Sequence, residues 1–332
     1  MGSSDRAIGD EVARLAGDFS GVVSVSRGDE IDYERAYGLA DRRHGIVATA
    51  DTMFAIASGN KGFTALVVAG LIAEGALRWD TRLRSVLGAD LPLIADDVTV
   101  EQVLAHRSGI GDYLDEEHED EFLLRVRMQD LIATADYLPA LDGFPTSFPA
   151  GERFAYCNGG FVVLAVVAER VGGGSFYDLV GERVLARAGM ADTGFLRSDD
   201  LPGRAAVGYL DDGRTNVFHL PVRGNGDGGA YSTVADFRAF WAALFAGAIL
   251  PPDVVARMVT PISDVPESRS RYGMGFWLHA TGSTVYLEGA DHGVSFRSAH
   301  DPRSGRTWTV VSNTTDGAWP IVRLLMDRFA DA

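Results

Sequence analysis

The rhythm of apolar and polar positions changes several times along the 332 residues. Near the start, Ile8, Val12, Leu15 and Ala16 recur at helical spacing and predict a short amphipathic helix. Residues 21–26 and 31–37 are β-like runs, and Arg27-Gly28-Asp29-Glu30 between them predicts a hairpin. After residues 52–57 the pattern becomes helical at Ser58, with Phe63, Leu66, Val67, Leu71 and Ile72 as apolar positions. Gly75 stands where a C-terminal helix glycine belongs. Residues 77–260 read as mainly helical between Pro- and Gly-bearing loops, most strongly at 161–171 and 236–245. Four short strand-like runs follow, at 272–280, 283–288, 294–300 and 307–312. Trp319–Phe329 closes as a helix with Val322, Leu324, Leu325 and Phe329 as its apolar positions.

Strands at both ends of the sequence, with helices between, predict one sheet built from N- and C-terminal segments. The expected organisation is a single catalytic unit over 1–332: an α/β lobe from about 1–76 and 262–332, and a helical lobe from about 77–261. A site between the lobes is the natural expectation. No internal repeat or low-complexity linker interrupts the chain.

Composition narrows the function classes. The apolar share of 46% suits a folded enzyme and excludes disorder. Acidic residues outnumber basic ones by 46 to 30, and a net charge of -16 repels nucleic acid. No apolar run reaches the roughly 18 residues of a membrane span. The first twenty residues carry charges throughout and lack the apolar core of a secretory signal, so a cytoplasmic location is expected. Cys157 is the single cysteine and forbids an internal disulfide.

Lys61 is the only lysine; every other basic side chain is arginine. Arginine stays protonated, whereas a desolvated lysine can become a neutral base, so deprotonation chemistry is sought first at Lys61. Ser58 precedes it by three residues at a helix start, which puts hydroxyl and amine on one face. A serine attacks only when a neighbouring base takes its proton, and burial would make Lys61 that base. The alternative is that Ser58 caps the helix and Lys61 is a solvated side chain. Tyr156 lies in the loop before the 161–171 helix and can shuttle a proton beside a lysine. Asn158 can orient that lysine or a substrate carbonyl. A buried tyrosine with a loop-satisfying asparagine is the other reading of that pair.

Three features are set aside. The acidic run 115–121 reads as a solvated loop rather than a cation site, and no metal-ligand spacing occurs. Cys157 reads as a packed small side chain. The glycines of 224–229 lack the strand, helix and lysine of a phosphate loop.

Taken together the motifs resemble the serine β-lactamase-like family, which also contains penicillin-binding proteins, D-aminopeptidases and esterases. Ser58-x-x-Lys61 is similar to its nucleophile motif and Tyr156-x-Asn158 to its second motif. The segment 99–109, ending His106-Arg107-Ser108-Gly109, resembles the family's His-x-Ser-Gly. Phe148-Pro149-Ala150-Gly151, Gly189-Met190-Ala191-Asp192-Thr193, the segment 228–236 and Tyr272-Gly273-Met274-Gly275 recur in such enzymes in the same order.

The resemblance implies an α+β fold, a central antiparallel sheet flanked by helices beside an all-α lobe. It implies hydrolysis of a small ester or amide (as an esterase, D-aminopeptidase or carboxypeptidase-like enzyme) through an acyl-enzyme on Ser58. Lys61 would take the proton, Tyr156 would relay it, and Asn158 would position the carbonyl or Lys61. Two backbone N–H groups would hold the oxyanion: that of Ser58 and one from a strand edging the site. No cofactor or metal is implied, and the partner is a small-molecule or peptide substrate.

Asn60 stands where many members have Thr, and Cys157 where Ser is usual. The third motif, Lys-Thr-Gly or His-x-Gly, is not plainly present. Aligned on Phe296, its histidine position falls on Gly289. Either His292-Gly293 substitutes in a shifted register as substrate-binding residues, or the positive side chain is missing. A missing cation tilts the expectation toward an esterase or aminopeptidase-like activity and away from a true β-lactamase. The rivals are a sensor of the same fold that does not turn over, and a metal-dependent hydrolase on a look-alike fold.

Overall fold

The computed structural model describes residues 3–114 and 126–329. The acidic run 115–121 lies outside the described residues. The N-terminal segment supplies β1 (Gly21–Arg27) and β2 (Glu30–Tyr37). β3 (Leu39–Asp41) pairs with β4 (Ile46–Val47), and β5 (Phe54–Ala55) pairs with the distant β6 (Tyr231–Ser232). The C-terminal segment supplies β7 (Ser263–Val265), β8 (Ser270–Tyr272), β9 (Trp277–His279), β10 (Val285–Asp291), β11 (Val294–Asp301) and β12 (Arg306–Ser312).

One eight-stranded sheet runs β2-β1-β12-β11-β10-β9-β8-β7, and its neighbours are antiparallel. The α+β class expected from the sequence is the class observed. β1 joins β12 with Val23 opposite Val310, so strands from the N- and C-terminal segments meet inside the sheet.

Alternation along the strands serves two cores, because successive side chains leave opposite faces. Val23, Val25, Tyr286, Trp308 and Val310 pack with Ile8, Val12, Ile321 and Leu325 of the helices Ser3–Leu15 and Trp319–Phe329. Val22, Leu287, Phe296 and Val311 belong to the opposite core with Phe63, Phe237 and Phe240. There the Phe237 and Phe296 rings lie 4.7 Å apart. Leu15, expected on the buried face of the first helix, is instead 44% exposed.

Two expectations need correction. The run 272–280 is two strands, not one: Gly273 N–H bonds Phe276 O at 3.0 Å and turns the chain between β8 and β9. The middle of the chain is also less helical than its pattern suggested. Among the described residues, 189–233 holds only a 3-10 turn (Asn216–Phe218) and β6. Turn formers such as Asp211, Asp212 and Gly213 dominate there, and loop pairs such as Ser198 N–H to Val222 O, at 2.7 Å, satisfy the backbone instead.

The long helices fall where the apolar runs lie, extended by their caps. Asn158–Gly172 starts at Cys157, whose Sγ accepts Gly160 N–H at 3.3 Å, and ends at left-handed Gly173. Val234–Phe245 starts at Thr233, whose hydroxyl accepts Asp236 N–H at 3.1 Å. Among the described residues no single helix is long and apolar enough to cross a membrane.

Candidate active site

Ser58 lies in a 3-10 turn, Ala57–Asn60, that runs directly into the helix Lys61–Ala73. β5 delivers the chain to this turn, where Ile56 N–H bonds Ala230 O at 2.9 Å. Ala57 then takes φ 43°, a left-handed conformation in which Cβ crowds the following carbonyl. The turn buries Ala57, Gly59, Asn60 and Lys61 and leaves Ser58 partly exposed.

Lys61 is 2% exposed, and its Nζ donates to Ser58 Oγ at 2.8 Å, Asn158 Oδ1 at 2.7 Å and the backbone oxygen of Asp227 at 2.7 Å. The solvated-lysine and simple-cap alternatives for this pair are therefore set aside. Asn158 is fixed from its other end, since Nδ2 donates to Leu114 O at 3.1 Å. Its own N–H and that of Gly159 donate to the two oxygens of Asp112, at 2.5 and 2.7 Å, which caps the start of the Asn158–Gly172 helix. Burial pushes the Asp112 carboxyl up to about 6, against the pull of those N–H groups and of the Lys61 charge.

The glycine-rich segment set aside as a phosphate loop forms the floor beneath the lysine. Asn60 donates to Asn225 O at 3.0 Å and accepts Ala230 N–H at 3.1 Å, which explains an amide where Thr is usual. Asp227 turns its buried carboxylate to the hydroxyl of Tyr113, 2.6 Å away. Burial raises the Asp227 carboxyl, and the Lys61 charge and the Tyr113 hydroxyl oppose this.

The Tyr156 ring has the Lys61 ammonium 4.8 Å from its centroid, the His106 ring at 4.3 Å and the Trp277 ring stacked at 6.1 Å. His106 is buried, and burial first, then the Lys61 charge, hold its pKa well below the usual value, so it is neutral. Its Nδ1 accepts Cys157 N–H at 3.0 Å, which ties the tyrosine loop to the 99–109 segment.

β10 closes the other side. A Cβ on Gly289 would fall 2.1 Å from Ile56 O and 2.7 Å from Ser58 N, so only glycine lets the strand approach the serine turn. Asp291 opposes Val294 across the two-residue turn His292-Gly293, and Gly289 opposes Phe296. Hydrogen-bonded pairs alternate from such a turn, so Gly289 bonds β11 while Ala290 directs its N–H to the opposite edge. β9 covers that edge only at Val285 and Tyr286. The Ala290 N–H is therefore left on the open side, next to the serine turn.

The sequence profile described as Beta-lactamase matches residues 6–327, nearly the whole chain. The chain belongs to the beta-lactamase family. Esterase EstB of Burkholderia gladioli is 35% identical over 214 residues, 62% of this chain and 54% of that protein. Penicillin-binding protein 4* of Bacillus subtilis is 26% identical over 330 residues, 94% of this chain and 66% of that protein. The chain thus spans about half to two thirds of the length of these curated relatives. D-aminopeptidases are further relatives, and the group belongs to the serine acyl-transfer superfamily. The crystal structure of a penicillin-binding protein from Bacillus halodurans superposes with a TM-score of 0.89 at 35% identity, covering 97% of this chain and 100% of that one.

The strand on which the third motif was expected is β10. Gly289 is where the strand touches the serine turn, so no histidine fits the position that alignment on Phe296 gave it. Leu287, two residues earlier, is buried in the core. His292 and Gly293 form the hairpin turn beyond the strand; His292 is exposed and Gly293 takes φ 71°. His292-Gly293 thus lies in the turn and not on the strand where the third motif was expected. Arg297 is ion-paired to Glu288 on the face of Tyr286, which looks toward the terminal helices. The β10 face toward Ser58 carries Val285, Leu287, Gly289 and, at its last position, Asp291, and no cation.

Asp112, Tyr113, Asp227 and the neutral His106 escaped the sequence reading as parts of the site. His106 had a signal in its His-x-Ser-Gly context; the two acids had none.

Proposed function

We propose that the protein is a serine hydrolase that forms an acyl-enzyme on Ser58 from a small ester or amide. The observation that carries this reading is the 2.8 Å bond between Lys61 Nζ and Ser58 Oγ, with Nζ also tied to Asn158 and Asp227. Ser58 Oγ attacks the acyl carbon as its proton passes to Lys61. The N–H groups of Ser58 and Ala290 accept the charge that develops on the carbonyl oxygen.

Tyr156, beside the ammonium, gives its proton to the leaving oxygen or nitrogen and regains one from Lys61. The bond from acyl carbon to leaving group breaks, and the Ser58 proton has moved in two steps to the departing molecule. Water then attacks the acyl-enzyme, losing its proton to the same pair, and Ser58 is released. The apolar, cation-free stretch Val285 to Gly289 of the β10 face toward Ser58 favours acyl donors without a carboxylate on the leaving-group side. It supports an esterase or aminopeptidase-like activity over a β-lactamase.

The test is the intact mass after brief exposure to p-nitrophenyl acetate or a penicillin, with p-nitrophenol release followed in parallel. The expected result is repeated release with a transient acyl adduct, both lost in Ser58→Ala. A penicillin adduct that never turns over, with no ester hydrolysis, would replace this reading with a sensor of the same fold.

A further inference from the structure

Beyond the tip of the β10–β11 hairpin lies a cavity of about 490 Å³, lined among others by Arg42, Arg43, Tyr209, Arg214, Phe218 and His219. Arg42 lays its guanidinium over the Tyr209 ring, 4.3 Å from the centroid, and its backbone N–H bonds the Tyr209 hydroxyl at 2.7 Å. Arg43 and Arg214 have acidic neighbours, Asp41 at 3.6 Å and Asp212 at 2.7 Å. Among the described residues Arg42 has no carboxylate within ion-pair distance. Three guanidiniums thus meet two carboxylates in a chain whose net charge is -16. A guanidinium resting over a ring can still offer N–H groups to a carboxylate. At the rim Phe218 is 89% exposed, an apolar surface without cover.

The cavity meets the β10–β11 hairpin turn through His219. The His219 and His292 rings lie 5.2 Å apart, and Asn216 Nδ2 donates to His292 O at 2.8 Å. Three residues of extended strand, ~10 Å, separate His292 from Gly289. The direction along β10 follows from Tyr156, which stacks on Trp277, and Trp277 pairs with Tyr286 at the far end of the strand. A leaving group that collects its proton from Tyr156 departs toward Trp277. The acyl chain, on the other side of the carbonyl, runs along β10 toward His292 and the cavity.

We propose that this cavity is an acyl-chain subsite for substrates whose acyl group ends in a carboxylate, ~10 Å from the scissile carbonyl. Arg42 is the anchor, Arg43 and Arg214 support it, and Phe218 covers the methylenes. The proposal rests on acylation of Ser58. It places at the end of the strand a positive charge that β10 itself does not carry.

The test compares mono-p-nitrophenyl octanedioate with p-nitrophenyl octanoate in the full chain and in Arg42→Gln and Arg214→Gln. The charged ester is expected to exceed the neutral one in kcat/KM by ~10-fold or more, and the ratio to collapse toward unity in Arg42→Gln. Raising the salt concentration shrinks the wild-type ratio, as for any partly exposed ion pair. Arg78→Gln, an exposed arginine paired with Asp80 elsewhere on the surface, keeps it. Calorimetric titration of octanedioate into Ser58→Ala should show binding that the added Arg42→Gln change removes. An unchanged ratio in Arg42→Gln, or dianion binding indifferent to that change, overturns the proposal. If neither ester is cleaved the Ser58 reading fails, and the calorimetric comparison still decides the cavity.

Discussion

Lys61 bonds the backbone oxygen of Asp227, while the carboxylate of the same residue takes the hydroxyl of Tyr113. The buried acid next to the lysine is turned aside, so the group that holds Nζ in place here is a neutral peptide oxygen. In the proposed reaction this amine takes the Ser58 proton.

Lys61→Arg is therefore expected to be as inactive as Lys61→Ala, about 10²–10⁴-fold below the parent with p-nitrophenyl acetate. The arginine keeps the charge but cannot accept the proton. If it kept turnover within tenfold of the parent, Lys61 would be acting as a fixed charge and not as a base.

Tyr113→Phe leaves the Asp227 carboxylate buried without its hydroxyl. The expected loss is about 1–3 kcal/mol in urea denaturation. Turnover should fall as well, because the carboxylate is then free to turn to Lys61 and hold it protonated. Asp227→Asn in the same background should recover part of the turnover. No recovery would show that the tyrosine acts through packing alone.

Gly289→Ala puts a methyl group 2.1 Å from Ile56 O. The strand must retreat from the serine turn, which separates Ala290 N–H from Ser58 N–H. Loss of one oxyanion donor costs about 10²–10³-fold in kcat. Circular dichroism and kcat measured together test this; a folded variant with parental kcat would exclude Ala290 as a donor.

The Asp112 carboxyl, raised to about 6 by burial, binds its proton more tightly in the folded chain than the ordinary aspartate near 3.8. Its contribution to stability is fully present below about pH 4 and is lost as pH rises through 6. The stability of the parent relative to Asp112→Asn should therefore grow between pH 7 and pH 4.5, read as urea midpoints at each pH. A gap between the two proteins that stays constant with pH would contradict the raised value.

Ser58, Lys61, Tyr156 and Asn158 were legible in sequence because each pair is local. Three residues separate the first two along one helical face, and two separate the others across a helix start. Asp112, Tyr113 and Asp227 were not, because their bonds to Asn158 and Lys61 join loops far apart in the chain, a pairing that no periodicity encodes. The sheet was readable from alternation in β10, β11 and β12, where apolar side chains recur at every second residue, as at Val285 and Leu287, Val294 and Phe296, and Trp308 and Val310. It was misread at 272–280, where the Gly273 turn hides inside an apolar run. Gly289 marks the limit most sharply. Its place against the serine turn depends on the register of a strand more than 200 residues away from Ser58, and a glycine by itself does not announce a close approach.

The two N–H groups proposed to hold the oxyanion are expected to reach their places at different times during folding. The helix Lys61–Ala73 closes through bonds within a few residues, and the serine turn before it is tied to 225–230 through Ile56 and Asn60. Ala290 reaches its place only once β10 is anchored by β11 and β12, and β12 in turn by β1 from the other end of the sequence. Closing that separation is expected to be the slow step in a fold dominated by distant pairings. After dilution from denaturant, helical signal should return ahead of acylation, and the ability of Ser58 to react should appear only with the last kinetic phase.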